Sequence, residues 1–401
     1  MKTLLAILIA YTLASVLYHL ALMLAYFFVK EPARKTSQAL SRFAVVIPAH
    51  NEEMLIGTTC RKILAVDYPA GLREIFIVAD NCTDRTAELC SAFPVTVMRR
   101  SDKEHAGKGY ALKWAIENIR LEQFDAVLVI DADTEVDPLI LKELNVMIAN
   151  GSRAMQCAVT MSNRSDSWFT QLLYVSRTIN NLLYYYAKYK IGLSSSLMGV
   201  GMCFRTSLLR EIPWTAYTLS EDWEYAARLV GQGIKIDFAV RAKVFPQESR
   251  SLHQATTQRL RWSKGRFYVI KNFGLKLFFQ GLRTKNRIMT DASLSLLFPN
   301  WSLEVNLILT ALFTSLLLSA SAFKTTALIL SFFLLGAQGI MLGAGILLAG
   351  SSWPAFRAIL FAPLFLVWKF MIDFVSMTGL YRGRKWIRTA RHLPSEQTKK
   401  I

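Results

Sequence analysis

Asp125-Ala126-Val127-Leu128-Val129-Ile130-Asp131-Ala132-Asp133 is the stretch whose reading decides the fold. Five aliphatic residues, three of them β-branched, run without helical periodicity into two carboxylates one residue apart. Such a run reads as a strand buried on both faces, as in a parallel α/β sheet. Ligands of these sheets sit beyond the carboxyl ends of the strands, where Asp131 and Asp133 emerge. Side chains two apart on a strand point the same way. Paired anionic oxygens at a sheet edge suit a hard divalent cation, and that cation suits a diphosphate. Taken alone, the pair also fits two solvated acids opening a turn, so the flanking chain has to decide.

Upstream, Phe43–Pro48 reads as a first strand ending in Ala49-His50-Asn51-Glu52-Glu53, followed by a helix over Leu55–Val66. Glu74–Ala79 is a second strand, ending in Asp80-Asn81-Cys82-Thr83-Asp84, and a helix is expected from Thr83 to Ala92. Pro94–Met98 gives a third short strand and Tyr110–Leu121 a third helix. Strands alternating with helices imply a doubly wound, Rossmann-like, mostly parallel sheet. Three strands then deliver polar residues to one edge: Asn51 and Glu53, Asp80, and Asp131 with Asp133. Between them lies Gly107-Lys108-Gly109. Its glycines allow close backbone approach and Lys108 offers a point charge to a phosphate, although the spacing is not that of a P-loop.

The rest of the 401 residues is divided by hydropathy. Hydrophobic types make up 53% of the chain, and they concentrate at its two ends. Leu4–Val29 is long enough to span a bilayer and exceeds the usual signal-peptide core. Lys30, Arg34, Lys35 and Arg42 follow it, against Lys2 before it, so the positive-inside rule puts residues 30 onward in the cytoplasm. The formal net charge of +18 would suit nucleic acid, but no nucleic-acid fingerprint accompanies it. Anionic lipid headgroups and phosphorylated substrates are the expected partners, and nucleic acid is not. Five scattered cysteines, with no C-x-x-C pair, read as reduced thiols.

The ordered set of motifs carries a resemblance. Ile47–Glu53, Val78–Asp84, Gly107-Lys108-Gly109 and Asp131-Ala132-Asp133 resemble the nucleotide-sugar half of membrane-bound family 2 glycosyltransferases. These are GT-A fold enzymes that include cellulose, chitin, hyaluronan and poly-N-acetylglucosamine synthases. Gly199–Arg205 is similar to their acceptor-side glycine loop, Ser220-Glu221-Asp222 to their Thr/Ser-Glu-Asp motif, and Gln258-Arg259-Leu260-Arg261-Trp262 to Q-x-x-R-W. The match covers roughly residues 43–266.

The resemblance implies a set of roles. Asp133 would ligate a Mg2+ or Mn2+ ion that bridges the diphosphate of a UDP-sugar, with Asp131 near the metal or the ribose. Asp80, Pro48, Asn51 and Glu53 would contact the nucleoside, and Lys108 the nucleoside or the phosphate. Asp222 would be the general base, with Glu221, Gln258, Arg261 and Trp262 at the acceptor and diphosphate. One base and no enzymic nucleophile imply direct displacement with inversion. A plainer reading stays beside this one: Glu221, Asp222 and Glu224 open a helix with Ser220 as its N-cap, where acids complement the helix dipole.

The expected organisation is an anchor over 1–29, a GT-A domain over 40–266 and a basic amphipathic interfacial segment over 267–300. A membrane region over 301–377 and a basic tail over 378–401 complete it. No Asp or Glu occurs from Arg250 to Thr290, and aromatics interleave with the basic residues there. Trp301–Phe323 and Thr326–Ala349 are spanning lengths, joined by a turn at Lys324. Phe356–Met377 carries Arg357, Lys369 and Asp373, which favours an interfacial or re-entrant segment and keeps the Arg382–Arg388 tail cytoplasmic. The tail residues Trp386, Thr389 and Arg391 also resemble a motif of these synthases. Polysaccharide elongation and single transfer to a lipid are both open, and a non-catalytic nucleotide-sugar-binding membrane protein is the rival outside enzymology.

Overall fold

Residues 1–35, 38–350 and 353–380 are described by a computed structural model. The strands are β1 (Phe43–Ala49), β2 (Arg73–Asp80), β3 (Thr96–Arg100), β4 (Ala126–Val129), β5 (Thr134–Val136), β6 (Ala154–Val159), β7 (Met202–Arg205) and β8 (Ile236–Pro246). They form one sheet in the order β3-β2-β1-β4-β7-β6-β8-β5. The first four are mutually parallel, as the β/α alternation requires. At β7 the pairing reverses. β7 runs antiparallel to both β4 and β6, β8 is parallel to β6, and β5 closes the edge antiparallel to β8. Helical segments from Trp168 to Lys190 lead from β6 to the loop before β7, where the Gly201 amide donates to the Val129 carbonyl at 2.9 Å and the chain runs back alongside β4. The sheet is therefore mixed, with the parallel half holding the acid-tipped strands.

Both sheet faces are covered. Ala44 and Val46 of β1 join a core with Leu112, Phe204 and Tyr225, while Phe43, Val45 and Ile47 join another with Ile56, Ile63 and Leu144. In β4, Val127 and Val129 face the first core and Leu128 the second. Complete burial of each such aliphatic side chain contributes about 1.5–3 kcal/mol, which holds the register that aims the strand ends.

Element ends differ locally from expectation. The helix after β2 spans only Thr86–Cys90, because the Asp84 carboxylate accepts the Thr86 amide at 2.9 Å and fixes a turn where helix was expected. The helix after β3 starts at Lys108, directly behind Gly107 at φ +129°. Between β6 and β7 a helix that begins at Trp168, capped by Ser167, widens into a π-helix over Ile179–Tyr186. All five cysteines are unbridged.

Two helices, Lys2–Phe28 and Ala322–Leu348, are long and apolar enough to cross a membrane. Two bent pairs qualify only if each is one broken span: Arg287–Leu297 with Trp301–Leu316 at 63°, and Trp353–Ile359 with Ala362–Met377 at 57°. The expected span over 301–323 thus stops at Leu316. Lys324 is not the turn but lies in the next helix, where its ammonium closes the Leu316 and Leu318 carbonyls at 3.0 and 2.8 Å. The residues after 380, including the tail motif, lie outside the described part.

Candidate active site

The ends of the parallel strands are stitched to one another before any ligand is considered. At the β1 end, Asn51 takes a left-handed φ of 54°, its amide group donating to Thr83 Oγ1 at 3.1 Å while its carbonyl accepts the Thr83 amide at 2.8 Å. Glu53 accepts the Arg85 amide at 3.2 Å. Pro48 lies opposite Val78 on β2. Asn51 and Glu53 therefore tie the β1 loop to the β2 loop, a structural duty that comes first. Asp80 is buried, and Arg100, its register partner on β3, donates to it at 2.6 Å. Burial leaves the Asp80 carboxyl above its usual range, with Arg100 opposing the shift.

Lys108 is the point where separate segments meet. Its ammonium bonds to Asp131 beyond β4, and to the Gly199 carbonyl at 2.8 Å. Gly199 sits at φ +79°, and a Cβ there would lie 3.3 Å from Asp222 Oδ2 and 3.8 Å from the Lys108 nitrogen. Asp131, Lys108, Gly199 and Asp222 thus gather in one place although 91 residues separate Lys108 from Gly199. Burial works to lower Lys108, but the carboxylates of Asp131, Glu221 and Asp222 outweigh it and hold the ammonium above its ordinary value. Gly109, by contrast, serves packing. A Cβ there would fall 2.3 Å from the Ala216 carbonyl oxygen, so this glycine admits backbone, not ligand.

Glu221 and Asp222 open the helix Glu221–Gly231. Ser220 occupies the N-cap position but its side chain makes no cap bond; Glu224 ties down the preceding turn, accepting the Tyr217 and Thr218 amides at 3.2 Å each, and Asp222 accepts the first-turn amide of Trp223 at 2.8 Å. Asp222 therefore serves the helix start with Oδ1 while its Oδ2 lies beside Gly199, so the two readings of this acid coexist. Burial, reinforced by the Glu221 charge, pushes Asp222 up to about 7. Burial also raises Glu221, against the pull of Lys108 and Arg261.

Gln258, Arg261 and Trp262 lie half-buried on the helix Leu252–Val269. Arg261 reaches Glu221 electrostatically, whereas Trp262 gives one face to Arg259, 4.6 Å from the ring centre. Asp133 is half-buried and bonds Thr134 Oγ1 at 3.3 Å. Among the described residues no three His, Cys, Asp or Glu side chains converge as a closed metal cage. The donor set fits Mg2+ or Mn2+ all the same, because such an ion takes one or two carboxylates and fills its shell from substrate phosphate and water. Arg100 escaped the sequence, whereas Gly199 was expected within a glycine loop, though not its left-handed turn beside Lys108 and Asp222. Tyr185 belongs to the π-helix and lies within electrostatic reach of Asp222. Arg100 left only a faint trace, as a basic residue two beyond the expected third strand.

Comparison with known proteins places this geometry. The family described as "Glycosyltransferase like family 2" matches residues 41–265. A probable glycosyltransferase, YdaM, of Bacillus subtilis is 26% identical over 267 residues, 64% of this chain and 62% of its own length. A beta-monoglucosyldiacylglycerol synthase of Synechocystis is 27% identical over 230 residues, 55% of this chain and 47% of its own length. The chain thus spans about half to three-fifths of the length of these curated relatives. In fold it is similar to the mannosyltransferase PcManGT from Pyrobaculum calidifontis, solved with GDP-Man and Mn2+, at a TM-score of 0.58 and 16% identity over 92% of this chain and 99% of that one. With the GT-A sheet and the motif order of residues 41–265 in agreement, the chain belongs to glycosyltransferase family 2.

Proposed function

We propose that the protein is an inverting, metal-dependent glycosyltransferase that moves a sugar from UDP to a lipid or lipid-linked glycan at the cytoplasmic face of a bacterial membrane. The observation that carries this reading is the meeting of Asp222 and Asp131 around Lys108. Asp222 takes the proton of an acceptor hydroxyl as its oxygen bonds to the anomeric carbon, while the bond from that carbon to the diphosphate breaks. A base raised to about 7 is well matched to this work near neutrality. Lys108 and Arg261 hold positive charge where the leaving diphosphate gathers negative charge. Asp133, with Asp131 beside it, would hold the Mg2+ or Mn2+, which supplies Lewis-acid stabilisation to that group. Asp80, Pro48, Asn51 and Glu53 would line the nucleoside end, and Gln258, Glu221 and Trp262 the acceptor side.

The two long apolar helices, and the basic residues that follow the first, support a membrane protein with its catalytic domain in the cytoplasm. The domains proposed are those expected from the sequence, with 353–377 as a re-entrant rather than a spanning segment. The Synechocystis relative is named for a diacylglycerol product, which supports a lipid acceptor. Polysaccharide elongation is the second reading, and Q-x-x-R-W favours it.

Membranes carrying the full chain, incubated with radiolabelled UDP-sugars, test both. Label extracted into organic solvent indicates a glycolipid, and label held at the chromatographic origin a polymer. Asp222→Asn should cut transfer by about 10²–10⁴-fold while UDP affinity stays within a few-fold. Chelation should stop transfer and Mn2+ or Mg2+ restore it. Near-normal turnover of Asp222→Asn would remove the base from this scheme.

A further inference from the structure

Beside Trp262, between the helix Leu252–Val269 and the bent C-terminal pair, half-buried basic groups outnumber the two buried acids they surround. Glu248 is 4% exposed and is met by Arg177 on one oxygen and by Arg259, at 3.2 Å, on the other. Asp373, 3% exposed, is met by Lys369 and by Ser263. Arg259 acts electrostatically on both Arg177 and Lys369, and Arg266 on Lys369, so these groups form one seam. The seam sets Arg177, Arg259, Arg266 and Lys369 against the carboxylates of Glu248 and Asp373, with Arg266 also donating to the Phe298 carbonyl at 2.8 Å and lying over the Trp223 ring.

An uncompensated charge in a low-dielectric setting is costly. Burial pulls Arg177 down to about 9, with the like charge of Arg259 adding to it, and burial alone pulls Arg259 to about 10. An excess of guanidinium groups calls for an anion from outside the chain, and their planar fork matches phosphate. The seam's outer wall indicates how that anion arrives. The helix Ala362–Met377 exposes Leu364, Val367 and Met371 while turning Lys369 and Asp373 inward, and Trp368 donates to Thr256 on the acceptor helix at 3.1 Å. An anion reaching the seam from that side has an apolar anchor.

We propose that the seam between the helices Leu252–Val269 and Ala362–Met377 binds the phosphate of a membrane amphiphile next to the acceptor site. The phosphate belongs either to the acceptor lipid itself or to a neighbouring headgroup. Only the acceptor alternative rests on the glycosyltransfer reading above.

The test titrates the full-length protein, in neutral detergent, with dihexanoyl phosphatidic acid. Dihexanoylglycerol serves as the phosphate-free probe and inorganic phosphate as the tail-free one. Phosphatidic acid should bind at least about tenfold more tightly than either, the scale of one charged hydrogen bond. Arg177→Gln and Arg259→Gln should each weaken it by about tenfold, whereas Glu248→Gln, which adds a net positive charge, should tighten it. A seam that merely held helices together would fail in the same direction in all three variants. UDP affinity, measured in parallel, should not change.

Equal binding of phosphatidic acid and dihexanoylglycerol overturns the proposal. So does weakening by Glu248→Gln, or an effect of the arginine variants on UDP alone, which would make the donor diphosphate the missing anion. Phosphatidic acid should still bind to Asp222→Asn, so failure of the transfer reading is told apart from failure of this one. With labelled UDP-sugar, label in dihexanoyl phosphatidylglycerol, which carries both a phosphate and free hydroxyls, identifies the acceptor's own phosphate. Faster transfer to dihexanoylglycerol when phosphatidic acid is added identifies a headgroup.

Discussion

Asp222 can accept a proton only as the carboxylate, and burial beside Glu221 pushes its carboxyl up to about 7. A raised pKa means that the working form is lost as pH falls through that value. The kcat/KM for transfer should therefore drop about tenfold per pH unit below roughly 7, and a profile flat down to pH 5 would contradict this. Gly199 is the second residue on which the pocket turns. A side chain at φ +79° costs about 1–2 kcal/mol, and the added methyl would press on Asp222 Oδ2. Gly199→Ala should lower kcat by more than it raises the donor KM, read from initial rates. The placing of Asp80 and Asp131 at the ends of parallel strands was legible in the sequence, because the aliphatic runs before them announce where each strand stops. The meeting of Lys108 with Gly199 was not legible, since nothing local fixes a contact spanning 91 residues.

Strand β3 earns its place at the sheet edge by bringing Arg100 to Asp80. Removing one partner leaves a buried charge uncompensated, so Arg100→Met should cost about 3–5 kcal/mol of stability and lower the Tm. Asp80→Asn in the same chain should recover part of it, which thermal unfolding in detergent would record. Elements were readable where aliphatic runs set the period, as in β1, β2 and β4. They were misread where side chains overrode that period. Asp84 turns the chain before Thr86, and Lys324 draws its helix back over the preceding carbonyls. The reversal at β7 was also hidden, because a four-residue strand behind a glycine loop has no pattern of its own.

The helix Leu252–Val269 belongs to both halves of the molecule. Arg261 faces Glu221 in the pocket, while Thr256, Leu260 and Ser263 are held by Trp368, Ser376 and Asp373 from the C-terminal pair. A chain cut after residue 350 should therefore keep the sheet but lose most of its transfer activity, with UDP binding retained in part; full activity of that fragment would refute the dependence. The hinge near residues 359–362 adds to this dependence, since its 57° bend sets the angle at which the second limb meets the pocket wall. In the proposed membrane setting, a thicker or thinner bilayer that straightens or folds that elbow would move the helix proposed to floor the acceptor site. Under the proposed lipid-facing reaction, catalysis would carry a mechanical input from the lipid sheet, and its tempo would become a gauge of that surface.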